Sequence, residues 1–168
     1  ILILVLNGYF LERGEISLLA KENKAKIALD YGVNIVLELP FIYGTQSADT
    51  FANMSIKLLN KLNVNKIIFG SECADITILE KLAKATNIDF EYKPNDLLGI
   101  SYIKAIKENK FNIKQECIKR TNDYHDLHSN EEIISASNIR NKLKLNENIN
   151  NYLPNEVIDD LIKVNKDM

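Results

Sequence analysis

Cysteine is scarce in this chain. Its two copies, Cys73 and Cys117, stand far apart and neither belongs to a CxxC pair. That argues against a zinc site or a disulfide framework and predicts a reducing, cytoplasmic setting. Histidine is equally scarce. His125 and His128 lie three apart, a ligand spacing only if helical, and no neighbouring Cys or His completes a zinc set. The pair reads as polar loop or as stacking contacts to a nucleotide, and no protein-held metal is expected. No apolar run is long enough to cross a bilayer, so no membrane partner is expected. The opening ILILVL is too short for a signal-peptide core and reads as a buried strand. Residue 1 is Ile rather than Met, so the natural start is expected to lie upstream. There is no P-loop, no GxGxxG, no nucleophile elbow and no paired-cysteine redox motif. A net charge of −2 makes no global demand for nucleic acid.

What is present is an alternating pattern. With 168 residues and 46% hydrophobic content, the chain is long enough for one domain with a substantial core. Ile1–Leu6 is a continuous apolar run of the kind found in parallel strands. Residues 18–31 show helical spacing through Leu18, Leu19, Ala25, Ala28 and Leu29, with Gly32 as the stop. A second strand follows over Asn34–Leu39, then a helix over Ala48–Leu62 with Ala52, Ile56, Leu59 and Leu62 on one stripe. Lys66–Phe69 is the third strand and Ile76–Ala85 the third helix. Further on come a helix over Leu97–Lys107, a strand-like Asn112–Ile118, and short helices over Ser137–Leu143 and Pro154–Val164, with Pro154 in a first turn. Strand–helix–strand order with crossovers of this length predicts an α/β fold, a Rossmann-like parallel sheet flanked by helices. Ligands in such sheets collect beyond the carboxyl ends of the strands, which here means loops 7–14, 40–49 and 70–75. We expect one Rossmann-like domain over residues 1–145 and the start of a helical region over 146–168.

Several short pieces suit phosphate or nucleoside chemistry, and each has a plainer reading. In Ile-Ser-Ala-Ser-Asn-Ile-Arg (134–140), Ser135 and Ser137 stand at a helix start with Arg140 one turn on. Free N–H groups, hydroxyls and a guanidinium suit a polyphosphate; a Ser N-cap with a surface Arg is the plainer alternative. Gly70-Ser71-Glu72 follows a strand directly, so Gly70 either admits a ligand to the backbone or simply ends the strand. Asn95, after Pro94, either hydrogen-bonds an adenine edge or ribose or caps its helix, and local sequence favours the cap. Arg13, Lys21 and Lys24 near the first strand's exit either neutralise phosphate or face water. Residues 104–120 carry six basic side chains against two acidic ones, either a docking face for an anionic partner or a solvated helix surface.

Taken together, the segments NGYFLERGE (7–15), KIALDYGVNIVLELPF (26–41), QSADTFA (46–52), FGSE (69–72), PNDLLGISYIKAI (94–106), IKRTNDYHD (118–126) and SASNIR (135–140) run in an order similar to that of the bacterial tRNA(Met) cytidine acetate ligase family. That family is a branch of the nucleotidyltransferase superfamily, and the likeness covers nearly the whole chain. It implies the HUP-type nucleotidyltransferase architecture and an ATP-dependent ligase that forms acetyl-adenylate and acetylates the wobble cytidine of elongator tRNA(Met). ATP, Mg²⁺, acetate and tRNA(Met) are the implied cofactors and partners. Gly70, Asn95 and Arg120 match ATP-binding positions of the family. Ser135, Ser137 and Arg140 match a phosphate-binding element, and Lys21 matches a basic position just after the RGE segment. Tyr9, Phe10, Tyr43 and Tyr124 are candidates to hold an unstacked cytidine.

The chain also departs from that pattern. The superfamily's His-x-Gly-His element is not in the 168 residues, so the catalytic residues are unassigned and these residues are expected to make a poor catalyst. The junction around Asp89–Lys93 is abrupt, as if residues were missing, and the carboxyl-terminal part is shorter than usual. Glu12 stands where glutamine is usual and Lys24 where arginine is usual. Two alternatives therefore stay open: an adenylyltransferase for another small acid or nucleotide, and a non-catalytic nucleotide- or RNA-binding protein.

Overall fold

The computed structural model describes residues 1–12, 14–85, 93–120 and 134–166. It divides into two compact units, Ile1–Gly44 with Asn122–Met168, and Thr45–Thr121. Each is built on a pair of parallel strands with helices packed against it, the α/β arrangement expected.

In the first unit, β1 (Ile3–Asn7) pairs in parallel with β2 (Ile35–Leu39), with Ile3 opposite Ile35 and Asn7 opposite Leu39. Parallel neighbours need a crossover, which α1 (Lys21–Asp30) supplies before Gly32 turns the chain at φ +96°. The expected apolar face of this helix is not observed. Leu18 and Leu19 lie before its first turn, Leu29 is exposed, and α1 buries none of its residues. Leu19 instead joins Ile149 and Leu161 in an apolar cluster with Leu18, Ile27, Leu143 and Tyr152 around it. Two carboxyl-terminal helices, α6 (Ala136–Lys144) and α7 (Asn155–Lys166), belong to this unit. Pro154 sits immediately before α7 and its carbonyl accepts the helix's first N–H bonds, rather than lying inside the first turn. A single turn, α2 (Phe41–Gly44), follows β2 where a loop was expected.

In the second unit, α3 (Ala48–Lys61) starts at Ser47, whose hydroxyl accepts from the Thr50 N–H. It buries Ala52, Ser55 and Ile56, while Leu62 falls at the C-cap and is exposed, so the fourth member of the expected stripe is lost. β3 (Lys66–Ser71) pairs in parallel with β4 (Lys114–Lys119), Gly70 opposite Ile118 and Ser71 opposite Lys119. Between them run α4 (Ile76–Leu82) and α5 (Pro94–Glu108). α5 is the central helix. One side packs Ala105 and Ile106 with Ile56, Ile67 and Ile113, and the other packs Ile100 and Ile103 with Leu79. Gly99 permits this approach: a Cβ there would lie 2.4 Å from Cε2 of Phe69 on β3. No described helix is long and apolar enough to cross a membrane.

Candidate functional site

In the second unit, the exit of β3 and the first turn of α5 are tied together by two carboxylates that serve each other's backbone. The α5 N-cap position is Lys93, which makes no side-chain cap bond, and Pro94 follows it. The orphan N–H groups of this turn are met from outside the helix. Glu72, one residue beyond β3, accepts from the Asn95 N–H at 3.4 Å through Oε1 and from the Asp96 N–H at 3.0 Å through Oε2. In return, Asp96 Oδ1 accepts from the N–H groups of Glu72 (3.0 Å) and Cys73 (3.2 Å), and from the Ser71 hydroxyl. Ser71 is fully buried, and its Oγ also accepts from the Ala74 N–H at 2.9 Å. The bend is sharp enough to hold Ala74 at φ +53°.

Three of the expected ATP-contacting residues meet this loop. Asn95 is not a cap: its Nδ2 donates to Glu72 Oε1 at 2.6 Å, so Glu72 caps the helix and Asn95 is held by the capping group. The residue after β4, Arg120, donates its backbone N–H to the Ser71 carbonyl at 2.9 Å. Its side chain lies across Gly70, where a Cβ would come within 3.3 Å of Arg120 Cγ. The absence of a side chain at Gly70 is thus used by an arginine stem. Glu72 and Asp96 were assigned no role from sequence. The available signal was an acid directly after a strand and another in the first turn of the next helix.

In the first unit, Lys21 forms an ion pair with Glu38, Nζ lying 2.7 and 3.0 Å from the two carboxylate oxygens and 5.3 Å from the centre of the Tyr9 ring. The Glu38 contact raises the Lys21 pKa. The Tyr9 hydroxyl donates to Glu22 at 2.8 Å. Lys24 neither faces water nor stands free for phosphate. Its ammonium donates to the carbonyls of Asn7 (3.0 Å) and Gly8 (2.8 Å), tying down the carboxyl end of β1, and burial lowers its pKa. Beside these groups, Gly8, Tyr9, Phe10, Glu38, Leu39, Phe41 and Gly44 line a small hollow of about 120 Å³. Ser135 is the N-cap of α6, its hydroxyl accepting from the Asn138 N–H at 3.0 Å, and Ser137 lies in the first turn. Arg140 is half-buried, and its Nε is buried without a hydrogen-bond acceptor among the described residues.

Arg13, Tyr124, His125, His128 and the Asp89–Tyr92 part of the abrupt junction lie outside the described residues. Among the described residues no group of three His, Cys, Asp or Glu side chains is arranged to hold a metal. A Mg²⁺ carried by triphosphate oxygens and water needs no such group.

A family model described as HIGH Nucleotidyl Transferase matches residues 1–92 and 86–168. Similar proteins include the tRNA(Met) cytidine acetate ligase of Mycoplasma mobile, 35% identical over 185 residues that cover 91% of this chain and 62% of that protein. The Bacillus cereus enzyme of the same name is 38% identical over 181 residues, covering 85% of this chain and 46% of that protein. The crystal structure of apo Thermotoga maritima TmcAL superposes with a TM-score of 0.88 at 26% identity, covering 98% of this chain and 50% of that one. The form of that protein bound to alpha-thio ATP gives 0.82 at 27% identity, covering 98% and 49%. The chain thus spans 62% and 46% of the two curated relatives, and its pairs of parallel strands with flanking helices have the nucleotidyltransferase architecture of these neighbours. It belongs to the HIGH nucleotidyl transferase family.

Proposed function

We propose that this chain binds ATP and serves an acetate ligase reaction on tRNA(Met). Acetate oxygen attacks the α-phosphorus, the bond to the β-phosphate breaks, and pyrophosphate leaves with the electron pair. The exocyclic amine of the wobble cytidine then attacks the acyl carbon of acetyl-adenylate, AMP leaves, and the nitrogen gives up a proton. Such chemistry asks the protein mainly for alignment and for charge neutralisation at the phosphates.

The observation that carries this reading is the β3 exit, where Gly70, Asn95 and Arg120 are gathered on one hydrogen-bonded loop. We assign that loop to the nucleoside end of ATP. Within the first unit, taken by itself, Arg140, with its Nε buried and without an acceptor among the described residues, and the α6 start with Ser135 and Ser137 are phosphate-binding candidates by the chemistry of their donors. Lys21 is assigned a supporting role: with Glu38 already on its ammonium, it adds positive field more than a free grip. Mg²⁺, brought by the triphosphate, would supply further neutralisation of its charge. The similarity to a protein crystallised with alpha-thio ATP supports the nucleotide, and the names of the relatives support acetate and tRNA(Met).

The test is incubation of the full-length protein with labelled acetate, ATP and total tRNA. Label on tRNA(Met), lost when the wobble cytidine is changed, is the expected result. Label confined to small molecules would leave an adenylyltransferase for another acceptor. Because the 168 residues contain no His-x-Gly-His, a second reading is a nucleotide-binding chain without catalysis. ATP binding with no pyrophosphate released would favour it.

A further inference from the structure

Asn95 has an amide with two different ends, and its surroundings decide which end is offered. Its Nδ2 donates to Glu72 Oε1 at 2.6 Å. Glu72 can only accept as a carboxylate, and it already receives the N–H groups of Asn95 and Asp96. The amide therefore must turn its nitrogen to Glu72 and its oxygen away. No donor among the described residues reaches that oxygen, and Asn95 is only half-buried. The holder is itself held. Asp96 fixes the backbone of Glu72 and Cys73 and the buried Ser71 hydroxyl, so Glu72 cannot swing aside without breaking the reciprocal cap.

We infer that Glu72 is a positioning residue that makes Asn95 a fixed hydrogen-bond acceptor, so that a nucleoside is held there through one of its own donors. The inference rests on the reading of this loop as the nucleoside end of an ATP site. ATP offers two sources of that donor, the exocyclic amine of adenine and the ribose hydroxyls. A base with an oxygen in place of the amine would set acceptor against acceptor, and a sugar lacking the hydroxyl would leave Asn95 Oδ1 unanswered. Either mismatch is disfavoured because the amide cannot rotate to offer its nitrogen.

The experiment is calorimetric titration of the unaltered chain with ATP, inosine triphosphate, 2′-deoxy-ATP and 3′-deoxy-ATP. One of the three analogues is expected to bind about tenfold more weakly than ATP, the scale of one lost hydrogen bond in a partly buried site. Weak inosine triphosphate assigns the contact to the base, and a weak deoxy analogue assigns it to the sugar. In Glu72→Gln, checked for folding by thermal melt, the amide is free to turn, and the penalty on that analogue is expected to fall to about twofold while ATP itself weakens. A purely structural Glu72 would weaken all four ligands together. Equal binding of all four by the unaltered chain, or a full penalty retained in folded Glu72→Gln, would overturn the inference while leaving the ATP site in place. No ATP binding by the folded chain would overturn the underlying reading as well.

Discussion

Lys24 shows how a single charged side chain can be claimed by the fold before any ligand reaches it. Its ammonium meets the carbonyls of Asn7 and Gly8 at the carboxyl end of β1. Lys24→Met keeps the stem and deletes the donors, leaving two carbonyls poorly served. It should cost about 1–2 kcal/mol in chemical denaturation, with the denaturant slope unchanged. From the sequence this residue was readable only as a cation near a strand exit, because the carbonyls that hold it are backbone and carry no signature. Asn95 was harder still. Its position after Pro94 reads as a capping residue, yet the capping carboxylate comes from Glu72, 23 positions earlier. Ser135 was readable because its cap bond is made within three residues, inside the range where local sequence decides geometry.

Elements were legible where period and punctuation agreed. β1 to β3 and α3 lie within a residue or two of the expected spans, because apolar runs ended by glycine, proline or a serine cap leave few alternatives. α1 was located, but the apolar face expected for it was not found, because the nearby cluster is built on Leu19, ahead of the helix, and on the far end of the chain. The close contact of α5 with β3 was invisible for the same reason. Gly99→Ala should place a methyl against the Phe69 ring and cost about 1–3 kcal/mol by overpacking, read as a lowered thermal midpoint. α4 gives a pH test. Asp75 caps it, accepting from the Thr77 hydroxyl at 2.6 Å and from the Thr77 and Ile78 N–H groups, and the Thr77 hydroxyl contact in particular holds its pKa below the ordinary value. A lowered carboxylate pKa stabilises the fold above the unfolded-state value and loses that contribution as pH falls through the folded value. The thermal-midpoint gap between the parent chain and Asp75→Asn should therefore be full above about pH 5 and shrink as the pH falls below the ordinary carboxylate range.

At the scale of the whole molecule, the order of seven short segments carried more than any one of them, and the family match over the full length agrees with that order. The geometry within each unit was not legible, because hydrogen bonds between segments far apart in sequence set it. The tRNA assignment makes its own demand on the surface. Lys107, Lys110, Lys114 and Lys119 are exposed along residues 104–120, while Glu116 is engaged by Lys66 at 2.9 Å. If this stretch meets RNA phosphates, log affinity for tRNA should fall linearly with log salt, with a slope of about −0.7 or more per phosphate met. Exchanging Lys107 and Lys110 for Gln should flatten that slope, and an unchanged slope would remove the segment from the docking face. ATP binding is tested by titrating ATP into the chain and into its Asn95→Ala and Arg140→Ala forms. Saturable binding by the parent is expected, weakened by about 1.5–3 kcal/mol in Arg140→Ala, the scale of a charge-assisted contact, and by about 1 kcal/mol in Asn95→Ala. Equal affinity in all three folded proteins would contradict it.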